Sequence, residues 1–217
     1  MKYVIQIVLW VVIAFLGYLL FNSVYSEVKF DDLKEVRYAK AIDKLIDIRH
    51  AQLAHKQVTG KFAKNFEDLE KFIDTAQLVL TQRRDTTILD EEMTKRYRVD
   101  QYKEIIITDT LGYKAVKDSL FKGSDRYREL GYVLIQGKEV PFEMDAGTVQ
   151  KSDIPIPVFE ARISKDALLY DQPKDYVSKE KQVVSVDGVN GAYITVGSMT
   201  DIKTAGNWPD SYGKSDE

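Results

Sequence analysis

Residues 3–21 read YVIQIVLWVVIAFLGYLLF, nineteen positions without a charge and with Gln6 as the one strongly polar side chain. As a helix this run spans about 28 Å, close to the ~30 Å hydrocarbon core of a bilayer. Tyr3, Tyr18 and Tyr25 lie near its ends, where amphipathic rings favour the membrane–water boundary, and Trp10 sits in the middle. The pattern predicts a transmembrane anchor. A cleaved signal peptide is the competing reading, with Val24-Tyr25-Ser26 as its cleavage site. The apolar region of such signals usually runs about 7–15 residues, so the length favours a retained anchor.

From residue 30 to 58 the pattern becomes that of an amphipathic helix. Leu33, Val36, Ala41, Ile42, Leu45, Ile46, Ile48 and Leu53 recur mostly at spacings of three and four, with Lys34, Glu35, Lys44, Asp47 and Arg49 on other faces. Asp31 is the expected N-cap, and Thr59-Gly60 ends the helix. Residues 22–29 contain neither Pro nor Gly, so the two helices can join in one rod. Val24, Ser26 and Val28 equally allow a hinge there.

A shorter helix is predicted over residues 65–74, capped by Asn65 and burying Phe66, Leu69, Phe72 and Ile73. The chain then turns to β character. Residues 77–83 and 103–109 have strand composition, and the charged stretch between them, 85–100, reads as a loop or short helix. Residues 125–130 read as a helical turn. Short strands are expected at 140–143, 157–164, 183–186 and 192–196, with Asp187-Gly188 or Asn190-Gly191 closing a hairpin. The organisation expected is a transmembrane anchor over 1–25, a spine helix over 26–60, an α+β head over 61–209 and a polar tail over 210–217. The fold class is α+β with a mostly antiparallel sheet.

Charge and composition narrow the function classes. The 31 Lys and Arg against 34 Asp and Glu give a net charge of -3, unlike the basic face of a nucleic-acid binder. The absence of cysteine removes disulfides, thiol catalysis and cysteine-ligated metals. His50 and His55 are five residues apart, about 140° round a helix, and cannot clamp one ion as an i,i+4 pair does. The carboxylate runs Asp31-Asp32, Glu67-Asp68 and Asp90-Glu91-Glu92 read as solvated faces. Neither G-x-x-x-x-G-K nor G-x-G-x-x-G occurs. No catalytic residue, metal or cofactor is expected.

The stretch Ile48-Arg49-His50-Ala51-Gln52, followed by Gly60-Lys61-Phe62 and then Leu69 and Phe72, resembles the type IV pilin and pseudopilin pattern. The likeness covers roughly residues 3–73, about a third of the chain. It implies a helical spine against an antiparallel sheet, in a component of a secretion or pilus-like machinery. Three further stretches resemble membrane-anchored envelope proteins of the Bacteroidota: Gln82-Arg83-Arg84-Asp85, Asp118-Ser119-Leu120-Phe121-Lys122-Gly123 and Val184-Ser185-Val186-Asp187-Gly188-Val189.

The expectation is a non-enzymatic, single-pass protein of the cytoplasmic (inner) membrane, its head in the periplasm, acting in the structure or assembly of a larger complex. The alternative is a tethered extracytoplasmic ligand-binding or sensor domain. Partners expected are the lipid bilayer, other membrane or envelope proteins and a second copy of the chain. Gln6, Trp10 and Gly17 are the candidates for helix contacts within the bilayer, and Arg83, Arg84 and Trp208 for partner contacts on the head; the competing readings are a basic step at the exposed end of a strand for Arg83 and Arg84, and a hydrophobic cap on the core for Trp208.

Overall fold

A computed structural model describes residues 2–182 and 188–212, excluding the side chain of Ser23. The expected strand at 183–186, residue 187 of the expected turn and most of the polar tail lie outside the described residues.

The segments expected as anchor and spine form one helix, α1 (Lys2–Thr59), about 87 Å long at 1.5 Å per residue. There is no hinge at 22–29, and Asp31 is not an N-cap. It lies inside the helix, paired with Lys34 at 2.9 Å. Helix continuity follows from the absence of Pro and Gly between Asn22 and Lys29, and from contacts that begin there. Ser26 Oγ lies 2.8 Å from Tyr176 Oη, and Phe30 is buried against the Tyr176 ring at 5.1 Å between centroids.

The C-terminal half of α1 carries the core stripe. Tyr38, Ala41, Ile42, Leu45, Ile48 and Ala51 are buried at three- and four-residue steps. Gly60, at φ +78°, stops the helix, and Asn65 caps α2 (Phe66–Thr75) by accepting from the Asp68 N–H at 2.8 Å. The buried stripe of α2 is Leu69, Phe72 and Ile73, as the periodicity predicts.

Two strands follow, both longer than the sequence predicts. β1 (Gln77–Leu89) and β2 (Tyr102–Ala115) pair antiparallel over their whole length, with α3 (Glu91–Tyr97) at the tip. The helix α4 (Val116–Phe121) and a 3₁₀ turn at Asp125–Glu129 return the chain to α1. A small hairpin, β3 (Tyr132–Ile135) and β4 (Lys138–Pro141), turns on Gln136-Gly137, both at positive φ.

The expected strand at 140–143 is split at buried Phe142, between β4 and β5 (Glu143–Lys151). β5 pairs with β6 (Ile154–Ser164) through a turn at Ser152-Asp153, and β6 pairs with β7 (Tyr193–Gly197). Phe159, Ala161 and Ile163 of β6 and Ile194 and Val196 of β7 alternate inward, and both strands pack on α1. Two short helices, α5 (Lys165–Leu168) and α6 (Lys174–Glu180), cap this layer. The chain is therefore α+β, with a long apolar N-terminal helix and antiparallel sheets.

Candidate functional site

The head leaves two surfaces bare. The first is the N-terminal half of α1. Its most apolar window has a mean hydropathy of 2.6 and is wholly unburied, and the helix is long and apolar enough to cross a membrane. Gln6, Trp10 and Gly17 fall within about 40° of one another round this helix at 100° per residue, so they share one stripe. A side chain added at Gly17 would meet nothing within 4 Å, and the Trp10 ring is exposed.

The second bare surface is the β1–β2 arm. At 13 residues β1 extends roughly 43 Å. Beyond its base it packs on little but its own partner strand. Leu80, Leu89, Tyr102, Ile106, Leu111 and Tyr113 are all exposed along it. Arg83 and Arg84 lie in mid-strand, which corrects the expectation that a basic step follows the strand's end. Arg84 pairs with Asp109 across the ladder at 3.1 Å, opposite faces alternating so that Arg83 points to the other side.

Trp208 is part of the core rather than of either surface. Its residue is only 4% exposed, and its ring lies on Gly206, where an added Cβ would sit 2.4 Å from the ring carbons. Its Nε1–H has no acceptor among the described residues. The ring caps the β6–β7 layer, so as a partner-contact residue it is withdrawn from solvent.

A polar cluster that sequence reasoning missed fastens the head to the spine. Arg37, buried on α1, donates to both carboxylate oxygens of Asp171 and to the Leu168 carbonyl at 2.7 Å. The hydrogen bonds from Arg37 hold the Asp171 carboxyl at about 2, below its ordinary range. Lys165 is completely buried at the start of α5 and donates to the carbonyls of Glu180 and Val189. Burial pulls its ammonium below the usual lysine value, with the Glu180 carboxylate at 3.6 Å offsetting part of that pull.

Glu180 also meets Lys34 at 3.2 Å and Tyr38 Oη at 3.5 Å, so one carboxylate of α6 gathers groups from α1 and α5. Burial, then Glu180, pushes the Tyr38 phenol up. The only signal in the sequence is that Lys34, Arg37 and Tyr38 lie at i, i+3 and i+4 on the helix's apolar side. Their partners stand more than 130 residues away.

Gln52, from the stretch that resembles the pilin pattern, is fully buried. Its amide accepts from the Ala63 N–H at 2.9 Å and donates to the Ala63 carbonyl at 2.8 Å. His55 Nδ1 lies 2.6 Å from the Lys61 carbonyl, and its ring meets Phe72 edge-on at 4.7 Å. These groups fold the chain back at the helix end. The described residues hold no group of three or more His, Cys, Asp or Glu side chains arranged to bind a metal ion.

No family model, curated protein or solved structure matches the chain.

Proposed function

We propose that this protein is a non-enzymatic, membrane-anchored envelope protein that serves in the structure or assembly of a larger membrane complex of the secretion or pilus-like kind. The observation that carries the reading is the continuity of α1. One helix runs without interruption from a bare apolar half into a half buried under the head. An element of that form transmits position between a bilayer and a folded domain. The packing of α1 on the antiparallel β6–β7 layer supports the pilin-like reading.

The anchor lies in the cytoplasmic membrane and the head in the periplasm. Lys2 precedes the apolar run, and the cations that follow it are interleaved with Glu27, Asp31, Asp32 and Glu35. Long domains translocate largely regardless of charge. A retained anchor is supported by the unbroken helix through Val24, Tyr25 and Ser26 and by the Ser26–Tyr176 contact. Within the bilayer, the Gln6 amide needs a hydrogen-bonding partner, and the Gly17 backbone admits close approach of another helix.

The test is the native mass of the full-length protein extracted in mild detergent, with co-purifying chains identified, for the wild type, Gln6→Leu and a variant whose residues 81–109 are replaced by a short turn. A large, reproducible assembly that shrinks in the variants supports the reading. A lone monomer with an intact N-terminus overturns it.

A second reading, a tethered ligand-binding or sensor head, is favoured by a depression of about 410 Å³ lined by Lys64, Glu143, Asp145, Glu160, Arg162 and Met199. Its size suits a small ligand. A charged metabolite that raised the melting temperature of the full chain, and failed to do so in Arg162→Ala, would establish it.

A further inference from the structure

The outer edge of β1 is unpaired among the described residues, because β1 and β2 form a sheet of two strands. Exposed edges are usually blunted by Pro, by charged side chains (Lys above all) or by a bulge. β2 carries such devices: Lys103, Lys114, and a bulge in which Leu111 is the extra residue between Thr110 and Gly112. β1 has no Pro, Lys or bulge, its charges are confined to Arg83, Arg84 and Asp85 at the centre, and the run from Val79 to Leu89 places them so that they can pair with a copy of themselves. It reads V-L-T-Q-R-R-D-T-T-I-L, and its chemistry is symmetric about Arg84.

From these observations we infer that β1 pairs antiparallel with β1 of a second copy of this chain, joining the two arms into one four-stranded sheet with order β2-β1-β1-β2. With Arg84 opposite itself, Arg83 faces the partner's Asp85, Gln82 faces Thr86, Thr81 faces Thr87, Leu80 faces Ile88 and Val79 faces Leu89. Every directly opposed pair lies on one face of the sheet, as antiparallel pairing requires. Two-fold symmetry makes each contact occur twice, so two Arg–Asp pairs flank the centre and four aliphatic pairs close the ends. The like charges at Arg84 are offset in each copy by its own Asp109 at 3.1 Å. No other residue at the centre of the strand repeats this symmetry: in β2 the same operation about Thr108 sets Ile107 against Asp109.

The pairing covers Val79, Leu80, Ile88 and Leu89, each of which is exposed in the single chain. Edge-to-edge addition of this kind takes its affinity from main-chain hydrogen bonds and its register from the side chains. The inference rests on the assembly reading only in taking the arm as a contact surface.

Because the chain has no cysteine, introduced thiols report without background. The experiment uses the full-length protein in its membrane with a short bifunctional thiol reagent. Arg84→Cys is expected to cross-link to itself, whereas Thr108→Cys, separated from its copy by three strand spacings and offset by two residues, about 16 Å in all, does not. Thr81→Cys and Thr87→Cys are each expected to stay monomeric alone and to cross-link when co-expressed, because that register separates like positions by about 20 Å. Arg83→Asp should reduce the Arg84→Cys dimer about tenfold by opposing like charges, and adding Asp85→Arg should restore it.

Absence of the Arg84→Cys dimer, equal cross-linking at Thr108→Cys, or failure of the reciprocal charge swap overturns the pairing. If the dimer is lost while co-purification of other envelope proteins persists, self-pairing falls and the assembly reading stands. If the dimer forms but no larger assembly does, the opposite holds.

Discussion

Arg37 and Asp171, 134 residues apart in the chain, meet through two parallel hydrogen bonds of 2.6 and 2.8 Å. The guanidinium side is buried on the spine and the carboxylate belongs to the head, so this pair fixes where the head sits along α1. A bidentate pair of this geometry sets orientation as well as distance.

Removing the carboxylate while leaving the guanidinium buried is the costly change. Asp171→Ala is expected to destabilise the head by about 3 kcal/mol, and Arg37→Ala by about 2 kcal/mol, since it leaves the more exposed partner. At roughly 2–4 °C per kcal/mol for a chain of this size, thermal melts in detergent should show losses of about 5–10 °C. The folded carboxyl is depressed to about 2, below the ordinary aspartate value near 3.9 in the unfolded chain. Its contribution is therefore complete above about pH 4–5 and is lost as the pH falls through about 2. The gap between wild type and Asp171→Ala should close on acidification through that window. A gap that stays constant from pH 6 to pH 2 would refute the assignment.

Gln52 makes a reciprocal pair with one residue, accepting from and donating to Ala63 with no exposure to water. Gln52→Leu preserves the volume but strands the Ala63 N–H and carbonyl in the core. The expected loss is about 2–4 kcal/mol for two unsatisfied groups. Gln52→Glu, which keeps the acceptor and adds a buried charge, should be no better. Protection of the Ala63 amide from hydrogen exchange reads the same contact locally and should fall in Gln52→Leu, which removes the acceptor of that N–H.

The legible parts of this molecule are those set by local periodicity. The apolar run, the core stripe of α1, the Asn65 cap and the stripe of α2 all depend on residues within one or two turns of each other. Arg37 and Lys165 illustrate what was not legible, because each is satisfied by groups more than ten residues away, on other elements. Arg83, Arg84 and Asp85 looked like the end of a strand because a half-buried strand rejects three successive charges. In an arm solvated on both faces neither face demands apolar residues, and the strand continues to Leu89. Asp31 had the chemistry of a cap, but a cap needs the helix to begin there. Trp208 is buried, as the reading of a late tryptophan as a core cap has it, and what that reading lacks is the surface the ring rests on, the bare backbone of Gly206. The head–spine cluster around Arg37, Lys165 and Glu180 had no such local signal, because its groups come from three separate parts of the chain.

The packing of Trp208 on Gly206 predicts an asymmetric mutant series. Gly206→Val places atoms where the indole now lies and should cost about 1–3 kcal/mol by forcing the ring out. Trp208→Ala should cost about 3–5 kcal/mol through the cavity it opens. Trp208→Phe should cost least, because it also removes a buried Nε1–H that has no acceptor among the described residues. The chain has two tryptophans, so in a Trp10→Phe background the fluorescence belongs to Trp208 alone. A red shift in Gly206→Val reports expulsion of the ring; an unchanged emission maximum with unchanged stability would contradict the packing.

Lys165 gives the prediction that separates a buried ammonium from an ordinary surface lysine. Burial lowers its folded value below that of the unfolded chain, whose lysines titrate near 10.4. In the interval between those two values the unfolded state binds more protons, so this residue's contribution to stability rises with pH. Lys34 and Glu180 face it, and Tyr38 lies beside it at 5.6 Å from Nζ to the ring centre. Tyr38 acts in the opposite sense: its raised phenol contributes stability that is lost above about pH 10, where unfolded tyrosines ionise. That term is common to wild type and Lys165→Met and cancels in their difference. At neutral pH Lys165→Met should cost about 1–3 kcal/mol, because the Glu180 and Val189 carbonyls lose their donor while Glu180 keeps Lys34. Denaturant unfolding in detergent at pH 7 and pH 9.5 should show the wild-type advantage widening at the higher pH. A narrowing advantage would mean that Lys165 is charged more readily in the folded protein than in the unfolded chain, and that the Glu180 carboxylate outweighs the burial.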